Sequence, residues 1–345
     1  MMSQPDHSVQ IAQWKDDKRF AYSITYDEGL VETLGFARRI HHRYGIPGHI
    51  NAFPEMLGKL VGDTSAGFLQ SLWNLQKYAD PEHLQFMMSE GWSVGCQISS
   101  SGDGNQAPSA ASLLEMRLSL EKAIGCSVRS LAFSDYTYCE TVQDVAQEAG
   151  FHWLFALYDD LNSAGEDASI IKRSPLYHQS PVPLQLGNDP YRLLALGQDQ
   201  GAWVVDVVRR VDLHPLDASK DCTLSELEAR FKAVHRIGKD RVWTALPETI
   251  AGYRALRLST QIKHCTCTPD QIAYTLAVTG PGDSLTEAEL TFVARLPATW
   301  LSPRAVVGED TVNLQPGPEA GTWLFTHRVR EGLQVRLANN NGMSV

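Results

Sequence analysis

The chain is 345 residues long with a formal net charge of −10, enough for one barrel-sized domain and a small second one. An acidic chain without clustered Lys and Arg cannot neutralise many phosphates, which argues against nucleic acid as a partner. No apolar run approaches the roughly 18–20 residues of a membrane span, and residues 1–18 are polar, without the apolar core of a secretory signal. The cysteines (Cys96, Cys126, Cys139, Cys222, Cys265 and Cys267) are scattered, and no Asn-x-Ser/Thr sequence occurs. Both features point to a reducing cytoplasm.

Residues 1–18 read as an N-terminal extension. Ala21-Tyr22-Ser23-Ile24-Thr25-Tyr26-Asp27-Glu28-Gly29 then reads as a buried strand, because Tyr22, Ile24 and Tyr26 alternate with Ser23 and Thr25. It delivers two carboxylates into a glycine turn. A helical run over 31–44 leads to a second strand over 45–53, on which His49 and Asn51 share a face. Residues 54–67 read as a loop, and 71–78 and 81–88 as helices, the latter opened by Pro81. Strand 91–98, a Ser- and Gly-rich loop over 99–109, helix 110–124 and strand 130–133 follow. Helix 140–149 is closed by Gly150, and strand 151–158 ends at Asp159-Asp160. Strand 203–208 precedes Asp212-Leu213-His214-Pro215, and helix 223–237, strand 241–245 and helix 247–258 complete the alternation. That pattern predicts a parallel α/β barrel. Beyond about residue 260, short strands at 271–279, 287–295, 305–312, 321–329 and 334–337 predict a small β-sandwich.

The pair Ile24-Thr25-Tyr26-Asp27-Glu28-Gly29 and Gly45-Ile46-Pro47-Gly48-His49-Ile50-Asn51-Ala52-Phe53 resembles the opening of the polysaccharide deacetylase family (carbohydrate esterase family 4), whose first motif is Thr-Phe-Asp-Asp-Gly. The resemblance covers about residues 19–258. It implies a distorted (β/α) barrel over 19–259, with 260–345 as a β-sandwich accessory domain. It also implies metal-assisted C–N hydrolysis, with one aspartate as base, a second with two histidines on the metal, and a further histidine as acid. Carried onto this chain, the base falls on Asp27, the metal-binding acid on Glu28 and the general acid on His214.

The family's second motif, His-Ser/Thr-x-x-His, reads here Gln97-Ile98-Ser99-Ser100-Ser101, so both histidines are missing. Gln97 and Ser101 hold their places, and neither offers the imidazole nitrogen that zinc prefers. If the face carrying His49 points inward, Glu28, His49 and Gln97 would form a rearranged metal set. The expected cofactor is therefore none, or a weakly bound divalent metal, zinc in the family. Trp92, Ser101, Asp135, Tyr136, Asp159 and Asp160 are the cleft candidates, since they fall near strand ends where aromatic faces stack on sugars and carboxylates reach a ligand. The cluster His264-Cys265-Thr266-Cys267 reads as structural or incidental, because two thiolates one residue apart are awkward for one tetrahedral ion.

Three functions are consistent with these residues. The first is a saccharide-binding pseudoenzyme on a deacetylase-type barrel. The second is an active amide hydrolase with a rearranged or metal-independent site, using Asp27 as base and His214 as acid. The third is an interaction module in the C-terminal sandwich. The expected partner is a saccharide or small amide, not nucleic acid or membrane, and a homo-oligomer remains open.

Overall fold

The computed structural model describes residues 7–61, 76–98, 108–133, 139–166, 169–176, 191–213, 221–279 and 289–339. By internal contacts the chain divides into two compact units, one of Phe20–Thr249 and one of Met1–Arg19 with Ile250–Val345.

A short strand, β1 (Ser8–Ile11), opens the described chain. The barrel unit follows with β2 (Phe20–Glu28), β3 (His49–Ala52), β4 (Ser93–Ile98), β5 (Ser130–Phe133), β6 (Trp153–Leu157), β7 (Ile170–Pro175) and β8 (Trp203–Val208). These seven strands are parallel and hydrogen-bond in sequence order. The ring closes where β8 pairs with β2, from Ala21 opposite Trp203 to Tyr26 opposite Val208. It is a distorted (β/α) barrel. The distortion is visible at β2, whose upper part, Thr25 to Glu28, pairs with β3, while Phe20 to Tyr22 pair with the short strand Val242–Thr244.

The alternation in β2 explains how it can be buried on both sides. Tyr22, Ile24 and Tyr26 belong to the apolar layer between strands and helices. Ser23, Thr25 and Asp27 are buried too, on the opposite face. Helix Leu224–Gly238 is tied to the outer wall by a buried ion pair, in which Arg230 Nε and Nη2 each donate to Asp206 at 2.7 Å. Tyr22 donates its hydroxyl to the same carboxylate at 2.7 Å. That helix starts on a capping box between Thr223 and Glu226, which satisfies two end groups that would otherwise lack partners.

The interior differs from the layers of branched apolar side chains that usually fill such barrels. Thr25, Asp27, His49, Asn51, Gln97, Ser130 and Arg173 are all buried. Polar groups persist in a low-dielectric interior only when they find partners: Thr25, Arg173, Asp27, Asn51, His49 and Ser130 form one network, and Gln97 accepts from the Glu28 N–H.

The second unit contains two antiparallel sheets. One joins β1 to Glu289–Arg295, Thr322–Arg328 and Gln315–Pro316. The other runs Thr260–Thr268, Gln271–Val278, Gln334–Asn339, Pro303–Val307, Asp310–Asn313. The Tyr274 ring of one sheet lies 6.2 Å from the Phe292 ring of the other. Part of the expected N-terminal extension is thus a strand paired with residues 292–295.

The helix expected over 71–78 falls mostly outside the described residues. Its end is not helical, because Lys77 and Tyr78 make isolated bridges to Leu60 and Leu30. Strand β7 and helix Arg192–Gln200 have no counterpart in the sequence reading. No described helix is long and apolar enough to cross a membrane.

Candidate functional site

The C-terminal ends of barrel strands are where loops can build a site on a rigid frame. At that end of β2 stands Asp27, with 12% of its side chain exposed. Across the ring, β7 brings the wholly buried Arg173 to it. Arg173 Nη1 donates to Asp27 Oδ1 at 2.6 Å and Nη2 donates to Oδ2 at 3.4 Å. The guanidinium also donates to Thr25 Oγ1 (3.1 Å) and to the carbonyls of Phe133 (3.2 Å) and Phe155 (3.5 Å). Four strands, β2, β5, β6 and β7, are therefore cross-linked by one side chain. An ion pair this deep requires such extra bonds to offset the loss of hydration.

Asp27 Oδ1 also accepts from Asn51 Nδ2 at 2.8 Å. A carboxylate paired with a guanidinium can only accept, which fixes the Asn51 amide with its nitrogen toward Asp27. Its oxygen then faces His49 Nε2 at 3.0 Å, so Nε2 carries the proton. His49 Nδ1 in turn accepts from the Ser93 hydroxyl at 2.7 Å. Burial, the largest influence, pushes His49 down to about 3, with the Arg173 charge acting in the same direction and the Asn51 bond opposing it. The imidazole is neutral and both nitrogens are occupied. Gly95 leaves room for this ring: a Cβ there would sit 2.9 Å from His49 Nε2 and collide with Ser130 Oγ. Ser130 itself donates to Glu248 Oε1 at 2.6 Å, and burial pushes that carboxyl upward against the opposing effects of Ser130 and Arg129.

The second carboxylate of the turn behaves differently. Glu28 has φ +69°, a left-handed conformation that costs a residue with a Cβ about 1–2 kcal/mol. Its N–H donates to Gln97 Oε1 at 2.6 Å, which holds the bend in place. Glu28 acts electrostatically on Tyr78, whose phenol is pushed up to about 12, first by burial and then by Glu28, with Arg209 opposing. Backbone strain held by a specific side chain is a frequent mark of a functional turn.

Asp27, Glu28, His49 and Gln97 are thus brought to one end and interior of the barrel. Asp27 and His49 are joined through Asn51, and Arg173 holds Asp27 from across the ring; Glu28 and Gln97 bond each other. Neither Asn51 nor Arg173 is among the residues that the sequence assigns to the site. Trp92 is not at the mouth. It is buried near the start of β4, with its ring 4.3 Å from His41 and 5.3 Å from Tyr26, because Gly48 leaves space for it on the outer side of the sheet. Asp159 and Asp160 are exposed and pair with Arg192 (3.5 Å) and Lys172 (3.2 Å). Ser101, Asp135, Tyr136 and His214 lie outside the described residues.

The donors do not fit a divalent metal in the family's manner. Asp27 is bound by Arg173 and Asn51, the Gln97 oxygen is taken by a backbone N–H, and His49 uses both nitrogens. Among the described residues no group of three or more His, Cys, Asp and Glu is arranged to hold an ion.

No protein-family model matches the chain, and no curated protein matches it in sequence. Solved structures similar to it include a Mycobacterium smegmatis protein assigned as a polysaccharide deacetylase, at 14% identity over 70% of this chain and 92% of that one, with a TM-score of 0.43. An allantoinase is similar at 14% identity over 72% and 93%, with a TM-score of 0.41. A mutant of a CE4-family pseudoenzyme with restored enzymatic activity is similar at 10% identity over 68% of each chain, with a TM-score of 0.38. The barrel assignment rests on the strand pairing above, and these similarities add no functional assignment.

Proposed function

We propose that the barrel binds an N-acetylated saccharide or a small amide at the mouth around Asp27 and does not hydrolyse it with metal assistance. One observation carries this reading: the carboxylate that would serve as base is held by the buried Arg173 and by Asn51. Among the described residues, Asp27 Oδ2 accepts only the 3.4 Å bond from Arg173. It retains capacity for one more donor, such as a ligand hydroxyl or amide N–H. The ligand class comes from the resemblance of the β2–β3 segment to the deacetylase opening.

A second reading is favoured by the same oxygen. A carboxylate oxygen with an open lone pair can also take a proton from water, so a metal-independent amide hydrolase would use Asp27 as base and His214 as acid.

Titration calorimetry with N-acetylglucosamine oligomers, alongside an acetate-release assay, tests both. Binding that survives chelation, is weakened at least tenfold in Asp27→Asn and releases no acetate is the expected result. Acetate release that survives chelation and disappears in Asp27→Asn would establish the hydrolase instead. Failure of every oligomer and small acetamide to bind at millimolar concentration would overturn the binding reading.

A further inference from the structure

The second unit carries a pair of thiols that the proposed function does not use. Thr260–Thr268 is an edge strand of its sheet. Its register to the next strand shifts between Lys263 and Thr266, which pair with Thr275 and Ala273. Two residues, His264 and Cys265, therefore stand opposite the single Tyr274, which defines a β-bulge. His264 has φ +49°, the left-handed conformation such a bulge uses. A bulge bends its strand, and here Cys265 Sγ and Cys267 Sγ come within 3.8 Å.

Both cysteines are exposed and reduced. Cys267 is paired with Ile272, and the bulge sets Cys265 against Tyr274; opposed residues share a face, so both thiols lie on the side of the strand that carries those two side chains. The Tyr274 hydroxyl is buried and has no hydrogen-bond partner among the described residues. Tyr274 stands opposite the bulge that carries Cys265.

We propose that Cys265 and Cys267 chelate one soft d10 metal ion of the zinc and cadmium class through their two sulfurs. Two thiolates each about 2.3 Å from a tetrahedral ion stand about 3.8 Å apart, the separation found here. The strand supplies the bite without rearrangement, and this removes the objection that a one-residue spacing raises in a regular strand. Soft thiolate donors select such ions over magnesium or calcium. The balance is simple. Two S–H bonds break, two S–metal bonds form, and two protons go to solvent. The remaining coordination positions face water or an external thiol.

The test is a cadmium titration of the full chain, kept reduced with a phosphine, followed by the sulfur-to-cadmium charge-transfer absorption and by proton release. One equivalent of cadmium per chain is expected, with affinity falling at least tenfold in Cys265→Ser and, separately, in Cys267→Ser. Both positions are exposed, so thermal melts of the variants should match the parent. Absence of the band, binding unchanged in either variant, or half an equivalent accompanied by dimerisation would each overturn the single-chain chelate.

Discussion

Arg173 Nη1 and Asp27 Oδ1 stand 2.6 Å apart inside the barrel, with the arginine wholly buried. This contact converts the carboxylate at the end of β2 from a prospective metal-site base into half of an ion pair. Removing one partner of a buried pair strands the other charge, at a cost of about 3–5 kcal/mol. Arg173→Ala should therefore lower unfolding free energy by about that amount in denaturant melts. A loss below 1 kcal/mol would mean that the pair is hydrated or absent in solution.

The interior histidines should give the protein a marked acid dependence. His41 and His49 are each pushed down to about 3, mainly by burial. Between their ordinary value and that lower one, the unfolded chain binds protons that the folded chain refuses. Their stabilisation is complete above the ordinary histidine value and declines as pH falls toward 3, by about 1.4 kcal/mol per pH unit for each. His49→Gln should make the slope of stability between pH 4 and pH 6 shallower by about that one contribution. An unchanged slope would show that His49 titrates in the folded protein as it does in water.

Space at β4 is equally specific. A methyl group at Gly95 would press on His49 Nε2 at 2.9 Å and collide with the Ser130 hydroxyl. Gly95→Ala should cost about 1–3 kcal/mol through overpacking. Pairing it with Ser130→Gly should recover part of that loss, and melts of the four variants would measure the coupling.

Glu28 offers a case where stability and function should separate. Its left-handed backbone would suit glycine, so Glu28→Gly should raise stability by about 1 kcal/mol. If the bend serves ligand recognition, the same substitution should weaken saccharide binding. Destabilisation on substitution would show that the side chain contributes more than the strain costs.

Much of the barrel was legible because its strands and helices carry clear periodicities: Tyr22, Ile24 and Tyr26 on one face of β2, and the amphipathic run after Val31. Strand β7 was not, because its inward position is occupied by Arg173. A charged residue there breaks the apolar signal of a buried strand, so Ile170-Ile171-Lys172-Arg173 carries no strand signature. The one available hint was the isolated Ile-Ile before Pro175. For the same reason the partner of Asp27 could not be foreseen: their separation of 146 residues becomes a contact only when the ring closes. Asn51 was noted as sharing a face with His49, but its role as the link to Asp27 depends on the β2–β3 register. Trp92 reads as a cleft aromatic because it falls near the end of a predicted strand. Its core position follows from the missing side chain at Gly48.

The central claim, that the mouth of the barrel holds an ion pair and not a metal centre, is tested most directly by cobalt titration. It should be made on the Cys265→Ser/Cys267→Ser chain, so that the thiol pair cannot contribute, and read by visible absorption and bound-metal analysis. No binding at micromolar cobalt is predicted. Stoichiometric cobalt that is lost on Glu28→Ala would contradict the account and establish a rearranged metal site at the end of β2.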